Sequence, residues 1–573
     1  METYKGYPAS RGVAIGKAML YHPYTPDLSS RTSGAAAASR LAAYDAAKEQ
    51  AGRELENIQA NMKVESPSKA AIFAAHIDIL NDVVMDGEVR SLLKNEQLVP
   101  SSAVAEVFTR YADILSNVDD SLIQERASDI LDVRNRLMRI LEGHLEQSLA
   151  DLSEPRIVIA NDLLPSDTAS MNRSMVMAIV CEVGGSTSHT AIIARSYGIP
   201  ALLGLNGAMN KVADGKEVIV DSCEGILITG ADDALTDHYI RKLDKYRKQT
   251  AIIMRYADNM PVTTDGVRIE VGANIVSAND DLPVIAARAD SVGLFRTEFL
   301  FMGRKDLPSE EEQVEAYRRV LSAFGEKAVV LRTLDIGGDK ECESLHLPQE
   351  ENPFLGNRAL RFCFSRQDIF RIQLRAAYRA STAGNLWLML PMVSSLGDIK
   401  RAKAIIADVL TELDQEGKKY CHNTKFGVMI EIPAIAILAD QVAKEVDFAS
   451  IGSNDLCQYT LAVDRMNPAV TDYYQSYHPA MFRLMRYVIE QFHTQGKPIG
   501  ICGELGGEPE AAAALMGLGI RKLSVGPESL PVIKKLICTH SIRQMEQDAR
   551  HIADFSFADD IFSYLSSQYQ MDR

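Results

Sequence analysis

The chain has 573 residues, more than one hydrophobic core can serve, so it is expected to divide into several units. Its 46% hydrophobic and 24% charged residues are those of an ordinary globular protein, and a net charge of -16 argues against nucleic acid as a partner and suits a basic protein partner. No apolar run is long enough to span a membrane, the N-terminus lacks the basic and apolar regions of a signal peptide, and the eight cysteines form no Cys-x-x-Cys pair, so a cytoplasmic chain with no membrane insertion is expected.

Residues 1–30 open with short strand-like pieces, Lys5 to Pro8 and Gly12 to Ala18. Over 31–149, Ala, Leu and charged residues recur at helical spacing. Ser68 to Val84 is typical: Ile72, Phe73, Ala75, His76, Ile79 and Leu80 line one side, which predicts helices packed as hairpins. Strand patterns return over 150–230, at Arg156 to Ala160, Met175 to Val180, Pro200 to Leu203, Glu217 to Val220 and Gly225 to Thr229. The helical block is therefore predicted to be inserted in an α/β domain. Residues 231–258 read as a charged linker helix, with an ordinary peripheral helix as the alternative.

From 259 to 573 eight apolar, β-rich runs alternate with helical patterns. They are Arg268 to Ile275, Ser291 to Glu298, Ala328 to Ile336, Leu386 to Met392, Phe426 to Ile432, Phe448 to Asn454, Pro498 to Gly503 and Lys522 to Val525. Strands alternating with helices predict a parallel sheet, and eight such units predict a (β/α)8 barrel.

Two places concentrate chemistry. The first is Gly184-Gly185-Ser186-Thr187-Ser188-His189, after the apolar run Met175 to Val180. Two glycines allow a tight turn, the three hydroxyl residues can cap a helix, and His189 then sits at a helix N-terminus, which favours an anion such as a phosphoryl group. The alternative is a histidine that only ends a strand-turn-helix unit.

The second place is the C-terminal rim of the barrel strands, where such barrels build their sites. Arg296, Arg332 and Arg465 offer planar forks for phosphate and carboxylate oxygens, and Arg358 is a further candidate from the loop after strand three. Glu431 and Asp455 end neighbouring predicted strands and supply hard oxygens for Mg2+. These types predict a small phosphorylated carboxylate bound with a metal. Cys502, beside Glu504, is either a proton donor or a buried structural thiol.

At this point the chain resembles the Enzyme I family, the phosphoenolpyruvate-protein phosphotransferases of the bacterial sugar phosphotransferase system. The stretches that carry the resemblance are Gly184 to Arg195, Gly293 to Leu300, Gly427 to Pro433, Ile451 to Leu456 and Ile501 to Glu504, and it covers essentially the whole chain. The resemblance implies a swivelling phosphohistidine α/β domain with an inserted α-helical bundle, followed by a TIM barrel. It implies that His189 attacks the phosphorus of phosphoenolpyruvate through Nε2. Arg296, Arg332, Asn454 and Arg465 would hold the substrate, Glu431 and Asp455 would bind Mg2+, and Cys502 would protonate the departing enolate to pyruvate. Thr168 matches the residue that orients the histidine ring. The helical block would dock HPr, the phosphocarrier protein, and the barrel would form a homodimer. Ser10-Arg11-Gly12, Ser186 and Ser453 depart from the family pattern without removing a reacting group. A nucleotide-dependent relative would instead need a nucleotide-binding domain, and no Gly-x-x-x-x-Gly-Lys-[Ser/Thr] loop occurs.

Overall fold

Successive side chains of a strand point to opposite faces, so a continuous apolar run covers both faces of a sheet, and the central N-terminal strands, such as the run Ile157, Val158, Ile159 and Ala160, use this pattern. The computed structural model describes residues 1–22, 31–65, 67–116, 121–143, 152–163, 171–185, 188–278, 280–302, 306–337 and 350–569, with seven isolated residues between them. It divides into two compact units, Met1–Lys248 and Gln249–Arg573.

The first unit is built on strands β1 (Glu2–Lys5), β2 (Tyr7–Ser10), β3 (Val13–Tyr21), β4 (Arg156–Ala160), β5 (Val176–Cys181), β6 (Ala201–Leu203), β7 (Glu217–Asp221) and β8 (Ile226–Thr229). They form one sheet in the order β1-β8-β7-β3-β4-β5-β6-β2. β3 and β4 pair in parallel, Ala18 opposite Ile157, so the chain leaves the sheet after β3 and rejoins it alongside. On one face Val158, Ala160 and Ile179 pack with Ala191 and Ala194 of helix His189–Tyr197; on the other Ile157, Ile159 and Val180 pack with Val218 and Leu227.

Between β3 and β4 run helices α1 (Ala37–Glu65), α2 (Pro67–Leu80), α3 (Val83–Asn95), α4 (Pro100–Ser116) and α5 (Ser121–Leu141). Their core is separate from the sheet's and includes Val89, Leu93, Val104, Phe108 and Leu137. In α2, Phe73, His76 and Leu80 are buried at helical spacing, and the side chain of Ile72 lies outside the described residues. Buried His76 meets an acidic side chain across the bundle, its Nε2 lying 3.1 Å from Asp129 Oδ1. The charged stretch after the sheet is a helix, Asp233–Met254. Its first half is fastened to the sheet: Tyr239 packs on Val13 and Ile219, and Lys242 pairs with Asp221 and Glu224.

The second unit is a closed parallel barrel of β9 (Glu270–Ile275), β10 (Val292–Phe295), β11 (Ala328–Arg332), β12 (Asn385–Leu390), β13 (Lys425–Ile430), β14 (Phe448–Ile451), β15 (Ile499–Ile501) and β16 (Lys522–Val525). All eight predicted runs coincide with strands. Seven of them overshot, mostly at the C-terminal end, because apolar composition does not mark where ladder hydrogen bonding stops. One expectation changes as a result. Asp455 does not end a strand: β14 stops at Ile451 and a helix, Ser453–Leu461, carries Asp455 in its first turn. Among the described residues no helix is long and apolar enough to cross a membrane.

Candidate active site

Strand alternation decides which side chains enter the barrel. On β11, Val329 and Leu331 pack outward against the helical shell and Val330 packs inward, so the next inward position is Arg332. On β10 inward Leu294 is followed two residues on by Arg296; on β13 inward Met429 is followed by Glu431. Cys502, one residue beyond β15, belongs to the same inner cluster. The residues singled out at the strand ends are therefore the top layer of the barrel's own interior.

That layer lines a cavity of about 390 Å³ whose wall includes Arg296, Arg332, Asn454, Asp455, Arg465 and Cys502. Leu294, Met429 and Tyr474 give it an apolar side. Asn454 is fixed by accepting the Glu504 N–H at Oδ1, 3.1 Å. Arg465 is held through its backbone N–H, which donates to Gln458 Oε1 at 3.1 Å.

Along the cavity wall runs a chain of buried charges that alternates in sign. Arg332 donates through Nη2 to Glu298, and its Nη1 is 3.1 Å from Asp335 Oδ2. Asp335 receives Arg358 at both oxygens, 2.9 Å from Nε and 3.1 Å from Nη2. Arg358 in turn reaches Asp455 at 3.0 and 3.3 Å and Tyr459 Oη at 3.3 Å. Arg358, a further candidate fork for the ligand, lines the same cavity; it is 1% exposed and has every guanidinium nitrogen engaged by protein, so it also fastens Asp455 in place. The pairing partners Glu298 and Asp335 had no role in the sequence reading; the three-residue spacing of Arg332 and Asp335 was the available signal.

Against this paired layer, three donors stand out. The Nε atoms of Arg296, Arg332 and Arg465 are buried without a hydrogen-bond partner among the described residues. All three arginines line the one cavity. A buried donor left unmade is costly, so the arrangement calls for an acceptor, and its planar charged donors suit an oxyanion.

Comparison with known proteins bears directly on that anion. Residues 251–542 match the family model described as PEP-utilising enzyme, PEP-binding domain; 152–225 match the mobile domain and 5–126 the N-terminal domain of the same enzymes. A phosphoenolpyruvate-protein phosphotransferase of Staphylococcus aureus is 41% identical over 566 residues, covering 98% of this chain and 99% of its own. That of Geobacillus stearothermophilus is 40% identical over 576 residues, covering 100% and 99%. The chain belongs to the phosphoenolpyruvate-protein phosphotransferase family. A solution structure of an Enzyme I protein is 37% identical, covering 43% of this chain and 99% of its own, at a TM-score of 0.39, which is too low to carry an argument.

For a phosphoenolpyruvate-protein phosphotransferase the metal question turns on Glu431. Its side chain is fully buried, Oε1 accepts the Met392 N–H, and Oε2 has no partner among the described residues. Burial, with the charges of Asp455 and Asp335, pushes this carboxyl well above the usual range despite Arg332 and Arg358. An orphaned oxygen with an acidic neighbour fits a cation. Among the described residues no group of three or more His, Cys, Asp or Glu could hold a metal alone. Two carboxylates completed by substrate oxygens and water match Mg2+.

The Cys502 thiol is 3% exposed, and its Sγ lies 3.7 Å from the Ile451 carbonyl oxygen, to which it donates. Burial is the largest influence on it and pushes its pKa up to about 11, so the sulfur is protonated at neutral pH.

In the other unit, His189 is the first residue of helix His189–Tyr197, and its side chain lies outside the described residues, as do Ser186 and Thr187. Ser188 is the cap, its Oγ accepting the Ala191 N–H at 3.3 Å. Gly184 turns the chain at φ 105, and a Cβ there would sit 3.2 Å from Ser188 Oγ, so the glycine protects the cap as well as the turn. Thr168 is buried at 1% exposure, beside Asp167, whose Oδ1 accepts the Tyr21 hydroxyl at 2.7 Å.

Proposed function

We propose that the chain takes the phosphoryl group of phosphoenolpyruvate onto His189 and passes it to an HPr-type phosphocarrier protein, releasing pyruvate. The observation that carries this reading is the trio of buried, unpartnered arginine Nε–H donors around one cavity. Arg296, Arg332 and Arg465 would bind the phosphate and carboxylate of the substrate, and Asn454 would add a side-chain amide. Glu431 and Asp455 would hold Mg2+, which would neutralise charge on the phosphoryl oxygens.

Nε2 of His189 forms the new bond to phosphorus as the bond to the enol oxygen breaks, and the electron pair leaves with the enolate. The Cys502 thiol gives its proton to the methylene carbon, yielding pyruvate, and the thiolate regains a proton from water. Thr168 orients the histidine ring. The phosphorylated ring is an anion at a helix N-terminus, where backbone N–H groups and the dipole favour it. Transfer to the carrier then needs only an acceptor histidine or its like in line with the phosphorus.

The carrier would dock on the α1–α5 block, which exposes Val83, Val84 and Ile114. The barrel unit would form a homodimer; Leu355, Ile437, Tyr473 and Phe557 lie exposed on it. A cytoplasmic location suits the eight cysteines, all of them free.

Incubation of the full-length protein with phosphoenolpyruvate and Mg2+, followed by assay of pyruvate and of acid-labile protein phosphate, tests the reading. Equal amounts of both, with the label mapped to His189 and chased onto an HPr-type protein, are expected. Pyruvate without labile phosphate, or label on another residue, would overturn it.

A further inference from the structure

β12 ends at Leu390, and the chain turns at Pro391-Met392. Met392 sits at φ 53, in the left-handed region that residues with a Cβ rarely enter. It is nevertheless 2% exposed, a fully packed side chain on a strained backbone. In that conformation its N–H donates to Glu431 Oε1. The other side of the same carboxylate is cleared by Gly452, where a Cβ would come within 2.7 Å of Oε2 and 3.0 Å of the Glu431 Cβ. One oxygen is gripped and the other, buried, is left open. A strained residue persists only where its surroundings over-determine it, and here the strain ends in a single bond to a functional carboxylate.

We propose that Met392 is a positioning residue for the divalent cation: its left-handed turn fixes the Glu431 carboxylate so that Oε2 is presented ready to ligate. A glutamate free to change rotamer would have to be ordered as the ion bound, and that ordering weakens binding. The Met392 side chain supplies the packing that pins its own backbone, and Gly452 keeps the second oxygen free. The inference rests on the metal role given above to Glu431.

The test uses the full-length protein in a His189→Ala background with phosphoenolpyruvate present, so that substrate oxygens are supplied and not consumed, and free Mn2+ is read by electron paramagnetic resonance; this protein is the parent for the comparisons below. Met392→Gly and Met392→Ala both delete the buried side chain. Glycine adopts the left-handed turn without strain, whereas alanine keeps the strain and loses the packing that offsets it. Met392→Gly is expected to bind Mn2+ within about twofold of the parent, and Met392→Ala about fivefold more weakly. A side chain that only fills space gives the reverse order, since alanine fills more of the gap and is the better-packed variant; alanine binding as well as or better than glycine would overturn the proposal. If Met392→Ala does not fold, Met392→Ile replaces it: it keeps the volume but resists the left-handed turn, and must bind more weakly than Met392→Gly. Glu431→Gln separates the two levels of inference. If it binds Mn2+ like the parent, or the parent has no Mn2+ site, the metal role itself fails. If Glu431→Gln loses the site while Met392→Ala and Met392→Ile match Met392→Gly, only the positioning role of Met392 fails.

Discussion

The barrel rim and the turn leading into helix His189–Tyr197 both suit an anion, by different physical means. At the rim Glu298, Arg332, Asp335, Arg358 and Asp455 alternate in sign and are all buried, so each charge is satisfied by a side chain distant in sequence. At the turn, among the described residues, the helix starts with no acidic side chain in its first turn, and its cap is the Ser188 side chain. Buried full charges hold a small substrate firmly and fix its orientation. Partial charges at a helix end hold an anion more weakly, which suits a group that must be handed on. The difference teaches that, on the function proposed above, the receiving end would be a rigid assembled site and the carrying end a local device.

The sharpest break of this contrast is at the carrying end. His189→Ala is expected to abolish labelling by phosphoenolpyruvate while circular dichroism stays unchanged; stoichiometric label on that variant would erase the distinction between holding and carrying sites.

Cys502 comes next. Cys502→Ala is expected to slow pyruvate formation about 10²–10⁴-fold, the range for a lost general acid. Slow labelling of His189 should survive, because phosphoryl transfer does not itself consume the proton. The sign of the pH effect follows from burial: a thiol raised to about 11 keeps its proton below that pH and loses it only as pH climbs through it. Turnover should therefore show no cysteine-dependent inflection between about pH 7 and 9. An inflection near 8 in the parent that vanishes in Cys502→Ala would place the thiol in a more open setting.

Asp335→Ala sharpens the comparison at the rim. It strips Arg332 and Arg358 of a shared, buried counter-charge, which costs roughly 3–5 kcal/mol. The barrel's unfolding can be followed through Trp387, the only tryptophan of the chain, whose ring lies 4.8 Å from that of Phe448. A shift under about 1 kcal/mol would mean that solvent reaches this net and that it is no more buried than a surface pair.

The smallest effect belongs to the turn. Ser188→Ala should cost about 1 kcal/mol of local stability and Ser188→Gly only a few tenths, seen as faster hydrogen exchange at the Ala191 amide. An effect of several kcal/mol would show that the turn, too, depends on distant contacts.

The same division explains what could be foreseen from the chain. Ser188, Gly184 and the start of the helix at His189 lie within a few residues of one another, so local chemistry was enough to place them. The eight barrel strands were legible because each buries a short apolar run, and the inward arginines followed from their place at the ends of those runs. Asp455 was placed on a strand although it lies on a helix, because an apolar run ending in polar residues reads the same either way. That Arg358, while lining the cavity, also holds Asp335 and Asp455 was not legible in the sequence, and Met392 carried no signal beyond a proline before it.

By itself, then, the sequence determined the element order, the barrel, the inserted helical block, the capped turn at His189 and the types of charge at the rim. These depend on period, propensity and capping, all of which act over a few residues. Tertiary structure alone decided which arginine nitrogens stay unpartnered, which carboxylate oxygen is left open, and that burial governs Cys502. Those outcomes depend on desolvation and on charges brought together from distant strands, and Coulomb and solvation energies are set by distance in space, not by spacing along the chain.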